Sequence, residues 1–483
     1  MKNLLVFFSL SLLPCMAQAQ TTSDTFQQFR SGVMEGYGKF RKSVLDGYAA
    51  YLDTVWKEYK AFRGDTRDEK PKPVTPPDVK DVPPVQQPEE DKPVVVQPEE
   101  RPRQPQTPQH PATPVVPTVP QTPLEASFSF YGTTLKAPRM ECAAVEQLTP
   151  QKAAAAWRQY EEGGMRKMAE TMKGNARALG LNDWFTYEMV RECVNTQCGA
   201  ATPAARITLQ HFLLANMGYD VRMADSGGAP CLLFAVAQTV YSRGYIVIDG
   251  RKYYIFQDNG RDAPEGGSFY TCELPHDADP GSAMNLRLNG MTGMRTGDRH
   301  HCELTYDGIT VTADVDRGQM EMLRHYPQLN VADYAMSVID PKLRGAVLEQ
   351  LRPHIAGLSE GAAANRLLSF VQHAFDYATD GDQHGYEKAY FFEENFFYPK
   401  NDCEDRAIFY AYLVRNLLGL DVHLIQFPGH ECTAVCFKDS SVSGAGYTYG
   451  GRTFIICDPT YIGASIGQCM PDYRGMTPKV EEW

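Results

Sequence analysis

A proline-rich stretch between residues 71 and 123 sets the first limit on how this chain can fold. It holds just over half of the 33 prolines and contains no glycine and no aromatic residue. From Pro102 to Pro123 a proline stands at every third position, which matches the three-residue turn of polyproline II. A segment of this composition cannot bury a core. We therefore predict a Pro-rich linker over residues 67–125.

The residues before the linker predict export and a helical segment. Lys2, the apolar run after it and the small-x-small sequence Ala17-Gln18-Ala19 are typical of a secretory signal peptide over residues 1–19. Residues 20–66 place aromatic and apolar side chains three or four positions apart, which predicts an amphipathic helix. Its aromatic face is expected to contact the protein body or a partner. We expect an exported protein, periplasmic or associated with the cell envelope, without a transmembrane span.

Residues 126–483 predict a globular α+β protein that contains an internal repeat. At a constant offset of 201 residues, at least seven identical pairs join two stretches, among them Gly218 with Gly419 and Gly250 with Gly451. In each stretch an apolar helix ends at glycine, a strand follows, and a Gly-Arg turn opens a later strand. The alternative is that two unrelated α/β units share a common helix–glycine–strand pattern.

The pattern predicts three regions after the linker. Residues 126–295 form an α/β domain that is a degenerate copy of the repeated unit, residues 296–355 form a β-hairpin and helical connector, and residues 356–483 form a complete copy.

Cys403 stands where a helix should begin. Asp402 is a favourable N-cap, Asp405 suits the first turn, and an apolar helical pattern from Ala407 to Leu418 ends at Gly419. The helix dipole and the unbonded backbone N–H groups at this position favour a thiolate. Cys403 is therefore a candidate nucleophile. The alternative is that it is a small buried apolar side chain, as many free cysteines are.

Two further groups downstream complete a chemical set. His430 opens an apolar strand, and Asp458 ends another that begins near Thr453. An imidazole can take the proton of a thiol and later protonate a leaving amine, while a carboxylate holds the ring in its useful tautomer. The backbone N–H of Cys403 can help to bind an oxyanion.

These residues lie in three stretches whose order and spacing resemble a known family. The stretches are NDCEDRAIFYAYLVRNLLGLDV, PGHECTAV and FIICDPTYI. Over about residues 360–475 the chain resembles the bacterial branch of the transglutaminase-like cysteine peptidase superfamily. The resemblance implies a papain-like core in which the cysteine helix packs on an antiparallel sheet. It also implies Cys403 as nucleophile, His430 as acid and base, and Asp458 as the orienting carboxylate.

A second oxyanion donor usually comes from an upstream side chain in that family, and Gln383 and Tyr386 are the candidates here. At the repeat offset, the three catalytic positions correspond to Thr202, Ala229 and Gln257. The first copy therefore lacks the triad. We expect it to support the second copy or to help bind substrate.

The function implied is hydrolysis of an amide bond in a peptide, a protein or the cell wall. Two alternatives stay open: acyl transfer to an amine, which is cross-linking, and a non-catalytic envelope binding or scaffold protein. The net charge of −12 argues against a nucleic-acid partner. We expect no cofactor and no metal, since His300-His301-Cys302 has no second ligand pair at zinc spacing. Local disulfides are conceivable at Cys193/Cys198 or Cys432/Cys436, although buried thiols are the plainer expectation.

Overall fold

The computed structural model describes residues 57–60, 125–257, 268–272, 274, 281–481 and 483. The predicted signal peptide, most of the N-terminal segment, and the linker apart from its last residue lie outside these residues. The described part is a mixed α+β protein whose helices pack on antiparallel sheets. This agrees with the class predicted from the sequence.

The first part of the described chain consists of short strands followed by four helices. The elements are β1 (Lys57–Lys60), β2 (Glu125–Phe130), β3 (Thr133–Pro138), α1 (Pro150–Glu162), α2 (Arg166–Leu179), α3 (Asp183–Gln197) and α4 (Pro203–Met217). Thr149, Asn182 and Thr202 cap α1, α3 and α4, because each side chain accepts a backbone N–H of the first turn. Helix α4 ends at Gly218, which has the left-handed conformation that glycine adopts most readily.

A six-stranded sheet follows α4. The strands that α4 leads into are β4 (Val221–Ser226), β5 (Ala229–Ala235), β6 (Tyr245–Ile248), β7 (Arg251–Gln257) and β8 (Ser268–Cys272). The spatial order is β1-β8-β4-β5-β7-β6, and every neighbouring pair is antiparallel. Helix α4 packs on β4 and β5. Strand β5 is buried at all but its first residue. Helix α4 covers one of its two faces.

Strand β1 corrects one prediction. Lys57–Lys60 lie inside the segment that the sequence predicts as helical, yet they form an edge strand paired with β8. Pairing along the open edge of a sheet supplies the backbone hydrogen bonds that a helix would otherwise provide, so tertiary context overrides the local pattern here.

A hairpin and three helices connect this sheet to the second part of the chain. They are β9 (Arg299–Tyr306), β10 (Ile309–Asp316), α5 (Arg317–Leu323), α6 (Val331–Met336) and α7 (Pro341–Ile355). The hairpin turns at Asp307-Gly308, where both residues have positive φ, as a tight two-residue turn requires.

The second part of the chain contains the predicted site. Its elements are α8 (Glu360–Ala374), β11 (Asp376–Tyr377), α9 (Asp380–Gln383), β12 (Lys400–Asn401), α10 (Cys403–Leu418), β13 (Asp421–Phe427), β14 (His430–Cys436), β15 (Gly446–Tyr449), β16 (Arg452–Cys457) and β17 (Lys479–Glu481). The last five strands form one antiparallel sheet in the order β15-β16-β14-β13-β17. Helix α10 packs on β13 and β14 on one side and on α8 on the other.

The two helix–sheet units, α4 with β4–β8 and α10 with β13–β17, have the same strand order. In three of the four ladders that the units share, the pairing registers also differ by a constant 201 residues. Val221 pairs with Phe234 in the first unit, and Val422 pairs with Val435 in the second. The same shift relates β5–β7 to β14–β16 and β6–β7 to β15–β16. For these three ladders, the offset seen in the sequence is also the offset of the hydrogen-bonded pairs. The β4–β8 and β13–β17 ladders do not share it, because Met223 pairs with Cys272 whereas Leu424 pairs with Glu481.

None of the described helices combines the length and the apolar character that crossing a membrane requires.

Candidate active site

The start of α10 is held in place by a buried arginine. Asp402 is the N-cap residue, and its N–H donates to the Asp405 carboxylate at 3.2 Å. Arg406 donates to the side chain of Asn401 at 2.8 Å and to the carbonyl oxygens of Gln372 and Phe375 at the end of α8. These bonds fix the first turn of α10 against α8. Cys403 is the first residue of the helix, as the sequence predicts.

His430 and Asp458 meet across the second sheet. His430 opens β14, and Asp458 follows β16, which pairs directly with β14. The His430 Nε2 atom lies 2.8 Å from Asp458 Oδ2. The other oxygen, Oδ1, accepts the backbone N–H groups of Thr460 at 2.9 Å and Tyr461 at 3.2 Å. The carboxylate is therefore fixed by its own loop and has one oxygen directed at the ring.

Gln372 positions that loop from the opposite side. Its amide nitrogen lies 3.0 Å from the carbonyl oxygen of Asp458, 2.9 Å from that of Tyr461 and 3.0 Å from that of Ala464. Its amide oxygen accepts the N–H of Gly463. Helix α8 carries Gln372, and carbonyl groups at its end accept hydrogen bonds from Arg406. This one helix therefore positions both the first turn of α10 and the loop that follows Asp458.

The Cys403 sulfur contacts two groups in this structure. The thiol donates to Glu404 Oε2 at 3.2 Å, and the sulfur accepts the backbone N–H of Glu431, the residue that follows His430. Among the described residues no hydrogen bond joins this sulfur to the His430 ring. The structure thus brings His430 and Asp458 into contact and places the cysteine against the neighbouring peptide of β14.

The electrostatic surroundings of Cys403 differ from the predicted ones. Burial, together with the Glu404 and Asp402 carboxylates, raises the pKa of the Cys403 thiol well above its ordinary value, and the N–H of Glu431 offsets only part of this. The expectation of a thiolate stabilised by the helix start is therefore not met in this conformation. The acidic residues that suit a first turn are buried beside the sulfur, so they favour the neutral thiol.

A buried acidic cluster surrounds the helix start. Burial and the neighbouring carboxylates raise the pKa values of Asp402 and Asp405 well above the ordinary range. The Asp402 side chain is buried, and its carboxyl group shares a hydrogen bond with that of Glu404. The ligand atoms of Asp380, Asp402 and Asp405 lie within 4.8 Å of one another. Such carboxylate oxygens could hold a hard cation such as Ca²⁺.

Other described side chains also come close enough to share a cation. The further sets are Asp402 with Cys403 and Glu404, Asp380 with Glu387 and Glu404, and His430 with Cys432 and Asp458. The last set places a second thiol near the imidazole, because Cys432 is two residues along β14 from His430 and shares its face of the strand.

The site is closed in this structure. Cys403 is 1 % exposed, His430 1 % and Asp458 2 %. The ring of Tyr473 stacks on the His430 imidazole, with ring centroids 5.3 Å apart and planes at 9°. Tyr473 also stacks on Phe427. It belongs to the loop between β16 and β17, so this loop covers the imidazole.

The two candidate oxyanion donors are engaged elsewhere. The Gln383 amide nitrogen donates to the Tyr390 hydroxyl and to the Lys400 carbonyl. Tyr386 is partly exposed, and its hydroxyl donates to the carbonyl oxygen of Arg324 at 2.6 Å. Neither side chain has a hydrogen bond to Cys403 among those of the described residues.

Tyr377 is a neighbour of Cys403 that the sequence reasoning missed. Burial raises the pKa of its hydroxyl, and the charges of Cys403, Asp402 and Glu404 add to the effect. Tyr377 pairs with Asn401 through the two short parallel strands β11 and β12. Its position 26 residues before Cys403 gives no periodic signal, and only the strand pairing brings it to the site.

In the first helix–sheet unit, the residues 201 positions before Cys403, His430 and Asp458 have no comparable chemistry. Thr202 caps α4 and donates to the carbonyl of Val145. Ala229 is exposed at the start of β5, and Gln257 ends β7. No thiol, imidazole or carboxylate occupies these three positions.

Comparison with known proteins adds no further identification: no family model, no curated protein and no solved structure matches this chain.

Proposed function

We propose that this protein is an exported, transglutaminase-like cysteine hydrolase that cleaves an amide bond through Cys403, His430 and Asp458. The core would be papain-like, with α10 packed on the second sheet. The observation that carries the proposal is the buried bond between His430 Nε2 and Asp458 Oδ2, at the end of the sheet on which the cysteine helix packs. A second contact supports the proposal: the Cys403 sulfur accepts the backbone N–H of Glu431, the residue that follows His430.

In this proposal the two ring nitrogens of His430 have different roles. Asp458 accepts from Nε2–H, which leaves Nδ1 as the basic atom for the thiol. In the acylation step, Nδ1 removes the proton from Cys403 and the sulfur attacks the amide carbonyl carbon. The imidazolium then protonates the departing amine, and a thioester remains. Water, deprotonated by the same nitrogen, cleaves the thioester and restores the thiol.

The closed structure corresponds to a resting state in this scheme. The Cys403 thiol donates to Glu404, so it must turn from that carboxylate to the imidazole before proton transfer. The Tyr473 loop must open in the same step, since it covers His430. The backbone N–H of Cys403 has no partner within its helix because it belongs to the first turn, and it is available to the developing oxyanion.

Alkylation of the full-length chain tests the proposal without a known substrate. Iodoacetamide is added between pH 5 and 9, and labelling of each cysteine is followed by peptide mass spectrometry. We expect Cys403 to label faster at pH 7 than Cys432, which is equally buried. The variant His430→Ala should slow Cys403 labelling by about tenfold or more.

A matched control separates catalysis from loss of structure. His423→Ala removes another buried imidazole of the same sheet, one that bonds to the Tyr447 hydroxyl. This variant should leave the labelling rate of Cys403 unchanged. Equal, slow labelling of Cys403 in the wild type and in His430→Ala would defeat the enzymatic proposal.

A non-catalytic binding protein is the second candidate, and one observation favours it. The Cys403 thiol is buried and bonded to Glu404, and its pKa is raised rather than lowered. A nucleophile at rest usually has the opposite tendency. If Cys403 proves inert in the alkylation experiment, this candidate takes precedence.

Hydrolysis and acyl transfer share the thioester and differ in what resolves it. A candidate acyl donor would be incubated with a primary amine, such as a biotin-labelled cadaverine, at increasing concentration. Release of free acid without amine incorporation supports hydrolysis. Amine incorporation that grows at the expense of free acid would replace hydrolysis by cross-linking as the proposed reaction.

A further inference from the structure

A second pair of cysteines lies in the first part of the chain, away from the candidate active site. Cys198 follows the last residue of α3, and Cys142 belongs to the segment 139–148 between β3 and α1, here called the strap. The two side chains share a hydrogen bond, and the backbone N–H of Cys142 also donates to the Cys198 sulfur. The two thiol groups are therefore hydrogen-bonded neighbours, and both cysteines are free thiols in this structure.

Independent contacts hold the strap against the end of α3. The N–H of Met140 donates to Gln197 Oε1 at 3.1 Å, and the amide nitrogen of Gln197 lies 3.4 Å from the carbonyl oxygen of Pro138. Gln197 is the residue immediately before Cys198. Met140 is buried as well, so both its backbone and its side chain anchor the strap. The proximity of the two sulfurs thus follows from the packing of the main chain around them.

The strap continues over the start of α4. The N–H of Ala143 donates to the Tyr160 hydroxyl at 3.0 Å, and the carbonyl of Val145 accepts from Thr202. Thr202 is the counterpart of Cys403 at the repeat offset. The strap therefore crosses the position that, in the second helix–sheet unit, holds the candidate nucleophile.

We propose that Cys142 and Cys198 form a disulfide in the exported protein, and that this bond fixes the strap across the start of α4. The inference rests on the bonds that hold the strap against Gln197, on the hydrogen bond between the two thiols and on the predicted export. It does not depend on the proposed hydrolase activity. We do not choose the two pairs that sequence spacing suggests, which are Cys193/Cys198 and Cys432/Cys436. In both of those pairs the two cysteines lie on one element or at its end.

The reaction needs an oxidant of the disulfide class, which exported proteins meet outside the cytoplasm. Cys198 is the first sulfur to lose its proton, because the Cys142 thiol donates to it and Arg206 lies nearby; both lower the Cys198 pKa. Its thiolate attacks one sulfur of the oxidant and displaces the other as a thiolate. The Cys142 sulfur, losing its own proton, then attacks the mixed disulfide at Cys198 and releases the second thiol. Two thiols are oxidised and one disulfide is reduced.

Peptide mapping of the full-length chain tests the bond directly. The protein is equilibrated with oxidised glutathione or with a reductant, and remaining thiols are blocked with N-ethylmaleimide. We expect the oxidised sample to yield a linked peptide pair containing Cys142 and Cys198, which separates on reduction. Its melting temperature should exceed that of the reduced sample by roughly 5 °C or more.

Three variants sharpen the measurement. Cys142→Ser and Cys198→Ser should each abolish the difference in melting temperature between oxidised and reduced protein. Cys193→Ser, one turn earlier on α3, should keep it. The proposal is overturned if Cys142 and Cys198 both remain blocked by N-ethylmaleimide after oxidation. It is equally overturned if Cys198 is found linked to Cys193, or if Cys142 carries only glutathione.

Discussion

His430 and Asp458 share a hydrogen bond of 2.8 Å in which neither residue is more than 2 % exposed. The sequence separates them by almost thirty residues, and the pairing of β14 with β16 brings them together. A buried carboxylate beside an imidazole fixes which ring nitrogen carries the proton. The bond therefore predicts that a change at Asp458 will alter the reactivity of Cys403.

Asp458→Asn should impair the reactivity of Cys403 while preserving the fold. The side-chain oxygen that the variant retains can still accept from Thr460 and Tyr461, so the loop keeps its bonds. The new amide group, however, donates toward His430 and favours the tautomer in which Nδ1 carries the proton. We expect the alkylation rate of Cys403 at pH 7 to fall by about tenfold or more, with little change in melting temperature. A rate equal to the wild type would mean that Asp458 does not orient the imidazole.

Much of this arrangement could be predicted from local sequence. The N-cap Asp402 and the terminal Gly419 define α10, and the 201-residue offset anticipates the register of the first strand pair in each unit. Those features depend on residues near each other in the chain, or on a repeat visible by comparing the chain with itself. They place Cys403, His430 and Asp458 on the right elements.

What the sequence could not supply are contacts between distant segments. Tyr473 covers His430 from a loop 43 residues further on, and Gln372 reaches the Asp458 loop from another helix. Gln383 and Tyr386 are upstream of the cysteine, as an oxyanion donor should be, but their side chains bond elsewhere. The burial of the acidic first turn, which raises the pKa of Cys403, likewise depends on the packing of α8 and α9.

Tyr473 should control access to the candidate nucleophile. Its ring stacks on His430, so Tyr473→Ala removes the cover and should increase the alkylation rate of Cys403 several-fold. Tyr473→Phe keeps the stacking ring and loses only the hydroxyl, so it should behave as the wild type. An alanine variant that labels no faster would show that another part of the chain limits access.

Breaking the ion pair between Arg344 and Glu393 should destabilise the fold strongly. Both side chains are buried, and two bonds of 2.7 and 2.9 Å join them. Glu393 also accepts the N–H groups of Ile339 and Asp340, so it fixes the start of α7. Glu393→Gln leaves the Arg344 charge buried beside a neutral group, and we expect a loss of about 3 kcal/mol in the free energy of unfolding.

Denaturant unfolding provides the measurement, and the chain supplies a control pair. Arg352 and Glu349 form an exposed ion pair on the same helix α7. Glu349→Gln should change the denaturant midpoint only slightly, because water screens that pair. Similar losses for the two variants would mean that burial of the Arg344 pair adds nothing.

Divalent cations should stabilise the protein if the acidic cluster at the start of α10 accepts them. The oxygens of Asp380, Asp402 and Asp405 are close enough to share an ion, and Ca²⁺ prefers such carboxylate ligands. After chelator treatment, addition of millimolar Ca²⁺ should raise the melting temperature, because the ion binds the folded state. Asp402→Asn should reduce the rise. A wild-type melting temperature that is the same in chelator and in Ca²⁺ would contradict the prediction.

The same cluster predicts how stability changes with pH in the absence of divalent ions. The pKa of Asp402 is raised in the folded protein, so between its unfolded value, about 4, and its folded value the native state holds a proton that the unfolded chain has lost. Stability from this group is therefore greatest at low pH and falls as pH rises through that interval. Asp402→Asn removes this dependence, and its advantage in free energy of unfolding over the wild type should grow from pH 5 to pH 8.

Denaturant unfolding at several pH values in chelator measures that difference, and comparing each variant with the wild type cancels the titration of groups remote from Asp402. Asp382→Asn is the control, since Asp382 is an exposed carboxylate on the neighbouring helix α9. The pH dependence of the Asp402→Asn difference is judged against that of this control. If the Asp402→Asn difference stays constant across the range, the Asp402 carboxyl does not hold its proton more tightly in the folded state.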